Sequence, residues 1–191
     1  GKGDAGMATE LHSPRSRGFD SWLGYWHHSE GYWSQEIEQC GRNKPVKDLW
    51  RTNESFSGPE VALANGPSCS QENQSPAGER CEYVDDLFAA EVEHIIAGHG
   101  AGHGQSPLFL LYSMHLVHMP LEVPQAALDQ FEGIHNQYRQ QMHAMVSTAD
   151  AYVGRVVAAL KTAGMWDDTL RECASLPGFS CFLCRSSAVC V

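Results

Sequence analysis

One long apolar stripe constrains the fold of this 191-residue chain more than any other feature of its sequence. From about Asn136 to Ala163, apolar side chains recur at the 3.6-residue spacing of an α-helix, and Gly164 follows as a C-terminal cap. This spacing predicts one long helix that packs a single face on a core, with methionines filling the contact surface. The stripe comprises Tyr138, Met142, Met145, Val146, Ala149, Val153, Val156, Val157 and Leu160.

Two shorter apolar segments precede this helix and indicate the fold class. The first has apolar residues at helical spacing, begins near Asp85 and Asp86 and reaches Gly98, which predicts a helix that ends there. The second, Leu108–Tyr112, is a short continuous apolar run, typical of a strand buried on both faces in a parallel sheet. Helix, strand and helix in this order predict a layered α/β fold.

Residues 40–80 are rich in Asn, Ser, Pro, Gly and Gln, which indicates a long surface segment with little regular structure. Two glycosylation sequons, at Asn53 and Asn73, lie in this segment. The seven cysteines of the chain are an odd and scattered set that favours an oxidising compartment. Sequons also arise by chance, but the two features together favour a secreted or lysosomal protein, although no signal peptide is visible in this chain.

Charge and hydropathy exclude two classes of partner. The formal net charge is -10 and no cluster of Lys and Arg is visible, which argues against a nucleic-acid surface because phosphate binding needs such a patch. No apolar run approaches the roughly 20 residues that cross a bilayer, so no membrane span is expected. Neither observation identifies a substrate, because an acidic protein can still carry a small cationic pocket.

Five short motifs carry a family resemblance when they are taken in order along the chain. They are G-K-G-D-A-G-M-A at Gly1–Ala8, P-R-S-R-G-F-D at Pro14–Asp20, Y-V-D-D-L-F at Tyr83–Phe88, P-L-F-L-L-Y at Pro107–Tyr112 and V-H-M-P-L-E-V-P at Val117–Pro124. Together they resemble the type I sulfatase family, most of all arylsulfatase B and its relatives. The corresponding family segments are G-K-W-H-L-G, R-G-F-D, Y-x-x-D-L-F, P-L-F-L-Y and V-H-x-P-L-x-V-P.

The resemblance implies a fold and a domain division. It implies an α/β fragment of the alkaline-phosphatase-like sulfatase sandwich, in which a mixed, mostly parallel sheet lies between helices. It stops abruptly after Leu170, where the family continues into a hydrophobic strand that ends in D-N-G. Residues 1–170 are therefore expected to form a partial sulfatase domain, and residues 171–191 an unrelated tail that contains cysteines.

The resemblance also implies a chemistry, of which this chain holds only a part. Sulfatases are sulfuric ester hydrolases that use a formylglycine made from the cysteine of C-x-P-S-R and a calcium ion held by Asp and Asn oxygens. None of the seven cysteines here is followed by x-P-S-R, and the family's calcium ligands are absent from this chain. We therefore expect a protein that descends from hydrolases of sulfated glycans or aryl sulfates and is inactive alone. The alternative is a non-catalytic protein that binds a sulfated ligand.

Two site residues are carried over from the family motifs. Lys2 matches the lysine of G-K-W-H-L-G, which orients the hydrated aldehyde and binds sulfate, although a lysine near a chain end can also be merely solvated. His118 matches the histidine of V-H-x-P, which contacts sulfate and protonates the leaving oxygen, although a loop histidine can instead satisfy backbone groups. Asp4 departs from the family because it occupies the position of the base histidine, where a carboxylate would repel the sulfate.

Two further groups of potential metal ligands are weaker signals. His99 and His103 flank a Gly-Ala-Gly stretch, which indicates a flexible loop rather than a rigid metal site. Cys181 and Cys184 form a C-x-x-C motif, but the other tail cysteines provide no second close pair, so zinc stays an alternative to an accidental composition or a disulfide. No metal ligand is therefore assigned in this chain.

Overall fold

The computed structural model describes residues 8–27, 30–37, 45–52, 57–59, 69–72, 81–102, 106–173 and 188–190. The chain divides into two compact units, the first formed by residues 1–87 and 115–148 and the second by residues 88–114 and 149–191. Lys2, Asp4, Asn53 and Asn73 lie outside the described residues, so the roles expected for them stay predictions.

Helices and strands are both present, as an α/β fold requires. The strands are β1 (Trp22–Gly24), β2 (Glu36–Ile37), β3 (Val46–Lys47), β4 (Trp50–Thr52), β5 (Ser57–Pro59), β6 (Leu110–Leu111), β7 (Leu170–Glu172) and β8 (Ala188–Cys190). The helices are α1 (Val84–Gly102), α2 (Gln125–Leu128) and α3 (Gln137–Thr162), with single 3-10 turns at Glu10–His12, Arg15–Arg17 and Asp129–Phe131. Within these segments, no helix combines the length and the apolar character that spanning a membrane requires.

The first unit contains two small antiparallel sheets. One has the strand order β1-β4-β5, and the other pairs β2 with β3. Since β3, β4 and β5 lie within residues 40–80, the expectation of little regular structure there is wrong for these segments. Trp50 of β4 lies opposite Gly24 of β1, and its ring packs edge-on against Trp26 with centroids 6.4 Å apart. Aromatic packing of this kind stabilises short strands. The polar composition of residues 40–80 gives no sign of them.

Asp48 is a buried carboxylate that joins the end of β1 to the start of β4. It accepts hydrogen bonds from the backbone N–H groups of Trp26 (3.2 Å) and His27 (2.9 Å), from His27 Nδ1 (2.7 Å) and from Trp50 Nε1 (3.0 Å). Burying a carboxylate is costly unless donors surround it, and these four donors meet that requirement. Asp48 and His27 therefore form a structural pair in the first unit.

Helix α1 begins at Val84, as the sequence predicts, but it continues through Gly98 to Gly102. A glycine ends a helix by adopting a positive φ, and Gly98 does not do so. The prediction that the helix ends at Gly98 is therefore wrong, and His99 lies on the helix instead of in a flexible loop. His103 lies outside the described residues.

The second unit contains a three-stranded sheet in which β8 lies between β6 and β7 and is parallel to both. The parallel pairing of the apolar run confirms its expected character. Leu110 and Tyr112 are buried, whereas Phe109 and Leu111 are exposed. Successive side chains of a strand point to opposite faces, so the residues that the structure describes cover only one face of β6. The expectation that both faces of this strand are buried is therefore wrong for the face that carries Phe109 and Leu111.

Helix α3 agrees with its predicted bounds and cap. Gly164 has a φ of +70°, its N–H donates to Lys161 O (3.1 Å), and Met165 N–H donates to Leu160 O (2.9 Å). These two bonds form a Schellman motif, which satisfies the last carbonyls of the helix. Fewer residues are buried than the apolar stripe predicted, since three members of the stripe in the first half of the helix are exposed. The buried side chains are Ala144, Met145, Tyr152, Val156 and Leu160; the exposed ones are Tyr138, Met142 and Val146.

Two glycines of α1 are expected to respond oppositely to alanine. A Cβ at Gly100 would lie 2.9 Å from Ala163 Cβ and 3.1 Å from Ala163 O, whereas a Cβ at Gly98 would meet nothing within 4 Å. We expect Gly100→Ala to lower the free energy of unfolding by about 1–3 kcal/mol through overpacking. The matched control Gly98→Ala should raise it by about 0.5–1 kcal/mol through helix propensity. Urea unfolding of both variants checks this, and equal effects would contradict the close helix contact.

Candidate functional site

The loop that follows β6 carries His118 on a tight turn. The backbone N–H of His118 donates to His115 O at 3.0 Å, and the peptide bonds Leu116–Val117 and Met119–Pro120 on either side of the histidine are cis. The His118 side chain is exposed, whereas His115 at the other end of the turn is only 1% exposed. The turn therefore buries one imidazole in the first unit and presents the other to solvent.

The hydrogen bond of the His118 ring determines its tautomer. Nδ1 lies 2.7 Å from Met119 O. A carbonyl oxygen can only accept, so the neutral imidazole carries its proton on Nδ1. Nε2 is then the nitrogen that can bind a ligand, as an acceptor when the ring is neutral and as a donor when the ring is protonated.

Tyr32 lies beneath the turn and contacts both of its ends. Its Oη lies 2.9 Å from His118 O and 3.2 Å from His115 O, so its one proton is shared between two carbonyls. The ring of Tyr32 stacks on the ring of His115 with centroids 3.9 Å apart and planes 13° apart. Burial, reinforced by the charge of Asp85, raises the pKa of Tyr32 well above its ordinary value, so the hydroxyl stays a donor at every pH of interest.

Asp85, in the first turn of α1, holds the turn from its N–H side. Its Oδ1 accepts a hydrogen bond from the backbone N–H of His115 at 3.0 Å, and the side chain is fully buried. Burial raises the pKa of Asp85 to about 7, although hydrogen bonds from the backbone of His115 and Leu116 oppose the shift. The carboxyl group beneath the loop therefore changes charge near neutral pH.

Two glutamates complete the polar surroundings. Glu122 Oε2 accepts from the backbone N–H of Tyr32 at 2.8 Å, and Tyr83 donates its hydroxyl to Glu122 O at 2.8 Å. Burial raises the pKa of Glu122, although hydrogen bonds from the backbone of Tyr32 and Trp33 oppose the shift. Burial, followed by the charge of Asp48, raises the pKa of Glu30 well above its usual range.

The described residues do not fit a calcium ion. Calcium takes about six to eight oxygen ligands, most of them carboxylates and carbonyls. Within the described segments, no group of three or more His, Cys, Asp or Glu side chains could hold a metal. Two carboxylates near the loop are engaged with N–H donors instead, Asp85 with His115 and Glu122 with Tyr32.

The structure describes one of the two site residues that the sequence singled out. His118 lies in the loop, whereas Lys2 lies outside the described residues. Sequence reasoning missed Tyr32, Asp85 and Glu122, which surround the turn. A signal for two of them existed, since Asp85 and Glu122 each fall within a motif that was identified, Tyr83–Phe88 and Val117–Pro124.

Comparisons with known proteins bear on the family and on the fold of this chain. The family model described as Sulfatase matches residues 1–170. Arylsulfatase J of Mus musculus is 30% identical over 88 residues, which are 46% of this chain and 14% of that protein. Two solved structures, titled "Crystal structure of Ps i-CgsB in complex with k-i-k-neocarrahexaose" and "Crystal structure of Ps i-CgsB", match with a TM-score of 0.61 and 20% identity.

The structural matches concern the fold. They cover 83% of this chain but 32% of each matched chain, so this chain spans about a third of their length and about a seventh of arylsulfatase J. With the family match, they confirm the expected fold class, an α/β fragment of the alkaline-phosphatase-like kind. The activity and the ligand of the longer proteins do not follow from this likeness.

Proposed function

Since this chain belongs to the sulfatase family, we propose that it recognises sulfate esters through the loop that carries His118. The observation that carries the proposal is the Nδ1–H bond of His118 to Met119 O, which leaves Nε2 of an exposed imidazole for a ligand. A protonated imidazole donates a charge-assisted hydrogen bond, which is about twice as strong as a neutral one, to a sulfate oxygen. The ligand proposed is a sulfated glycan or an aryl sulfate.

In a sulfuric ester hydrolase, the same nitrogen would act on the leaving group. In the family, an oxygen of the formylglycine hydrate, which this chain lacks, bonds to sulfur while the bond between sulfur and the ester oxygen breaks, and negative charge develops on that ester oxygen. Nε2 of a protonated His118 would transfer its proton there, releasing a neutral alcohol and leaving a neutral imidazole. Lys2 is proposed to bind the sulfate beside it, as an ammonium suits a sulfate oxygen.

The chain is proposed to be inactive alone, because its 191 residues contain no C-x-P-S-R motif from which the family nucleophile is made. The same observation favours the second candidate, a non-catalytic protein that binds a sulfated ligand. Residues 1–170 would form the partial sulfatase domain, and residues 171–191 a cysteine-containing tail that is unrelated to the family in sequence, although its strand β8 pairs with β6. Calcium, which the family uses, would be bound by ligands that this chain does not contain.

A secreted or lysosomal location is proposed for the whole protein. The disulfide between Cys69 and Cys81, whose Cα atoms are 5.6 Å apart, supports an oxidising compartment. The sequons at Asn53 and Asn73 point the same way and predict glycans at both positions.

The test of this proposal is a titration with inorganic sulfate, followed through histidine ring resonances in NMR. We expect sulfate to shift the His118 signals, and His118→Gln to weaken binding about 10-fold to 100-fold, because a hydrogen bond to a charged group is worth about 1.5–3 kcal/mol. His143→Gln is the matched control, since His143 is also exposed and its Nδ1 also lies 2.7 Å from a carbonyl, that of Arg139.

Two results would contradict the proposal. If His118→Gln and His143→Gln weaken sulfate binding equally, or if sulfate leaves the His118 signals unchanged, His118 is not part of the binding site. Separately, an assay with p-nitrophenyl sulfate should show no hydrolysis above the rate without protein. Turnover by the unsubstituted chain would contradict its proposed inactivity.

A further inference from the structure

We propose that Tyr32 is a positioning residue that fixes the tautomer and the orientation of His118, an inference that rests on the role proposed above for this histidine. The two residues are 86 positions apart in sequence and meet through one hydrogen bond, from Tyr32 Oη to His118 O at 2.9 Å. Tyr32 does not touch a ligand in this scheme. It acts through the backbone of the turn.

Tyr32 is itself restrained by backbone hydrogen bonds and by stacked rings, so its hydroxyl has a fixed position. Its N–H donates to Glu122 Oε2 at 2.8 Å, and its carbonyl accepts from Val84 N–H at 3.0 Å. Its ring lies between those of His115 and Tyr83, with centroid distances of 3.9 and 5.1 Å and interplanar angles of 13° and 8°. The side chain is 0% exposed, so no water competes for its hydroxyl.

The hydroxyl contacts the two carbonyls that bracket the turn. His115 O already accepts the N–H of His118 at 3.0 Å, and Tyr32 Oη approaches this same oxygen at 3.2 Å. One oxygen atom of Tyr32 therefore restrains both the first and the last carbonyl of the turn. The backbone that leads from His118 to Met119 starts from this restrained carbonyl.

The consequence for His118 follows from the position of Met119 O. The ring of His118 keeps its proton on Nδ1 because Met119 O accepts it at 2.7 Å. If the carbonyl of His118 is released, the adjoining residue can rotate, and the hydrogen bond to Nδ1 weakens. A free imidazole samples both neutral tautomers, so Nε2 would then spend part of its time protonated and differently aimed.

The experiment compares Tyr32→Phe with Tyr83→Phe in this chain. Both substitutions remove one buried hydroxyl from neighbouring stacked rings, but Tyr83 donates to Glu122 O, not to the turn. Long-range ¹H–¹⁵N NMR reports which ring nitrogen of His118 carries the proton, and inorganic sulfate is the probe ligand. We expect Tyr32→Phe to give mixed tautomers and an affinity for sulfate about 2-fold to 10-fold lower, as one neutral hydrogen bond is lost. Tyr83→Phe should leave both readouts unchanged.

The outcomes separate this inference from the proposed function. An unchanged Nδ1–H tautomer in Tyr32→Phe, or equal changes in both variants, overturns the positioning role. If sulfate fails to bind the unsubstituted chain while the tautomer still depends on Tyr32, the proposed function fails and the positioning role stands.

A second measurement needs no substitution: the Tyr32 hydroxyl proton should exchange slowly and show nuclear Overhauser contacts to the His118 backbone. A hydroxyl proton that exchanges too fast to be observed overturns the inference.

Discussion

Replacing Asp85 by asparagine is expected to abolish most of the loss of stability that this protein undergoes as the pH rises towards neutrality. Asp85 is fully buried beneath the His118 loop, and its pKa is raised from 3.8 to about 7, chiefly by burial. An asparagine keeps the acceptor oxygen that Asp85 offers to the backbone N–H of His115 at 3.0 Å. It cannot ionise, so it never places an uncompensated charge in the core.

The direction of the effect follows from proton binding. Between its ordinary pKa of 3.8 and about 7, the folded protein keeps Asp85 protonated while the unfolded chain has released the proton. The stability that protonated Asp85 contributes is therefore fully present below its ordinary pKa, and it is lost as the pH rises through the raised pKa of the folded protein. A shift of this size corresponds to about 4 kcal/mol, at about 1.4 kcal/mol for each pKa unit. Glu30, whose pKa burial also raises, contributes in the same direction.

Urea unfolding at several values from about pH 5 to pH 8 measures this effect. The matched control is Asp86→Asn, which makes the same chemical change at the neighbouring, exposed position of α1. We expect Asp86→Asn to lose stability over this range as the unsubstituted protein does, but from a slightly lower pH, because the charge of Asp86 helps to raise the pKa of Asp85. Asp85→Asn should lose much less. A slope for Asp85→Asn equal to that of the unsubstituted protein would show that Asp85 is not protonated in the folded state.

Truncating Met145 to alanine is the second change with a large expected effect. Met145 lies in α3 and is 0% exposed, in the row that includes Tyr152, Val156 and Leu160. Its replacement removes buried methylene and sulfur contacts and leaves a cavity that the helix can only partly close. We expect the free energy of unfolding to fall by about 2–5 kcal/mol.

Val146→Ala provides the control from the adjacent residue. Val146 is 53% exposed, next to Met145 in the same helical turn. We expect its truncation to change the stability by no more than about 0.5 kcal/mol, since it removes little buried surface. Urea unfolding of both variants at one pH makes the comparison, and losses of similar size would mean that α3 packs its other face.

Helix α3 and its cap were predictable because the determinants are local. The 3.6-residue spacing, Gly164 and the two hydrogen bonds that close the helix all lie within one continuous stretch of chain. Which part of the apolar stripe is buried was not predictable, because Tyr138, Met142 and Val146 satisfy the pattern equally well but are exposed. Burial depends on which surfaces the rest of the chain covers, and spacing along one helix carries no information about that.

The short strands between residues 40 and 80 show the same limit. Strands of two or three residues have no period to recognise, and their stability comes from partners such as Trp50 and Gly24, which are 26 positions apart.

Gly98 is a second position where the local sequence did not decide the structure. A glycine is compatible with either the end or the interior of a helix, and only the path of the backbone through α1 decided between them.

The sequence by itself determined the family, the α/β class and the long helix, and it singled out His118 as a candidate, because each depends on residue types at fixed spacing. Only the tertiary structure decided what holds His118. Tyr32 and Asp85 reach its turn from positions 86 and 33 residues earlier, and both do so through hydrogen bonds to the backbone. Such bonds leave no pattern in the sequence, since a backbone carbonyl or N–H is present at almost every residue and its buried partner can come from any part of the chain.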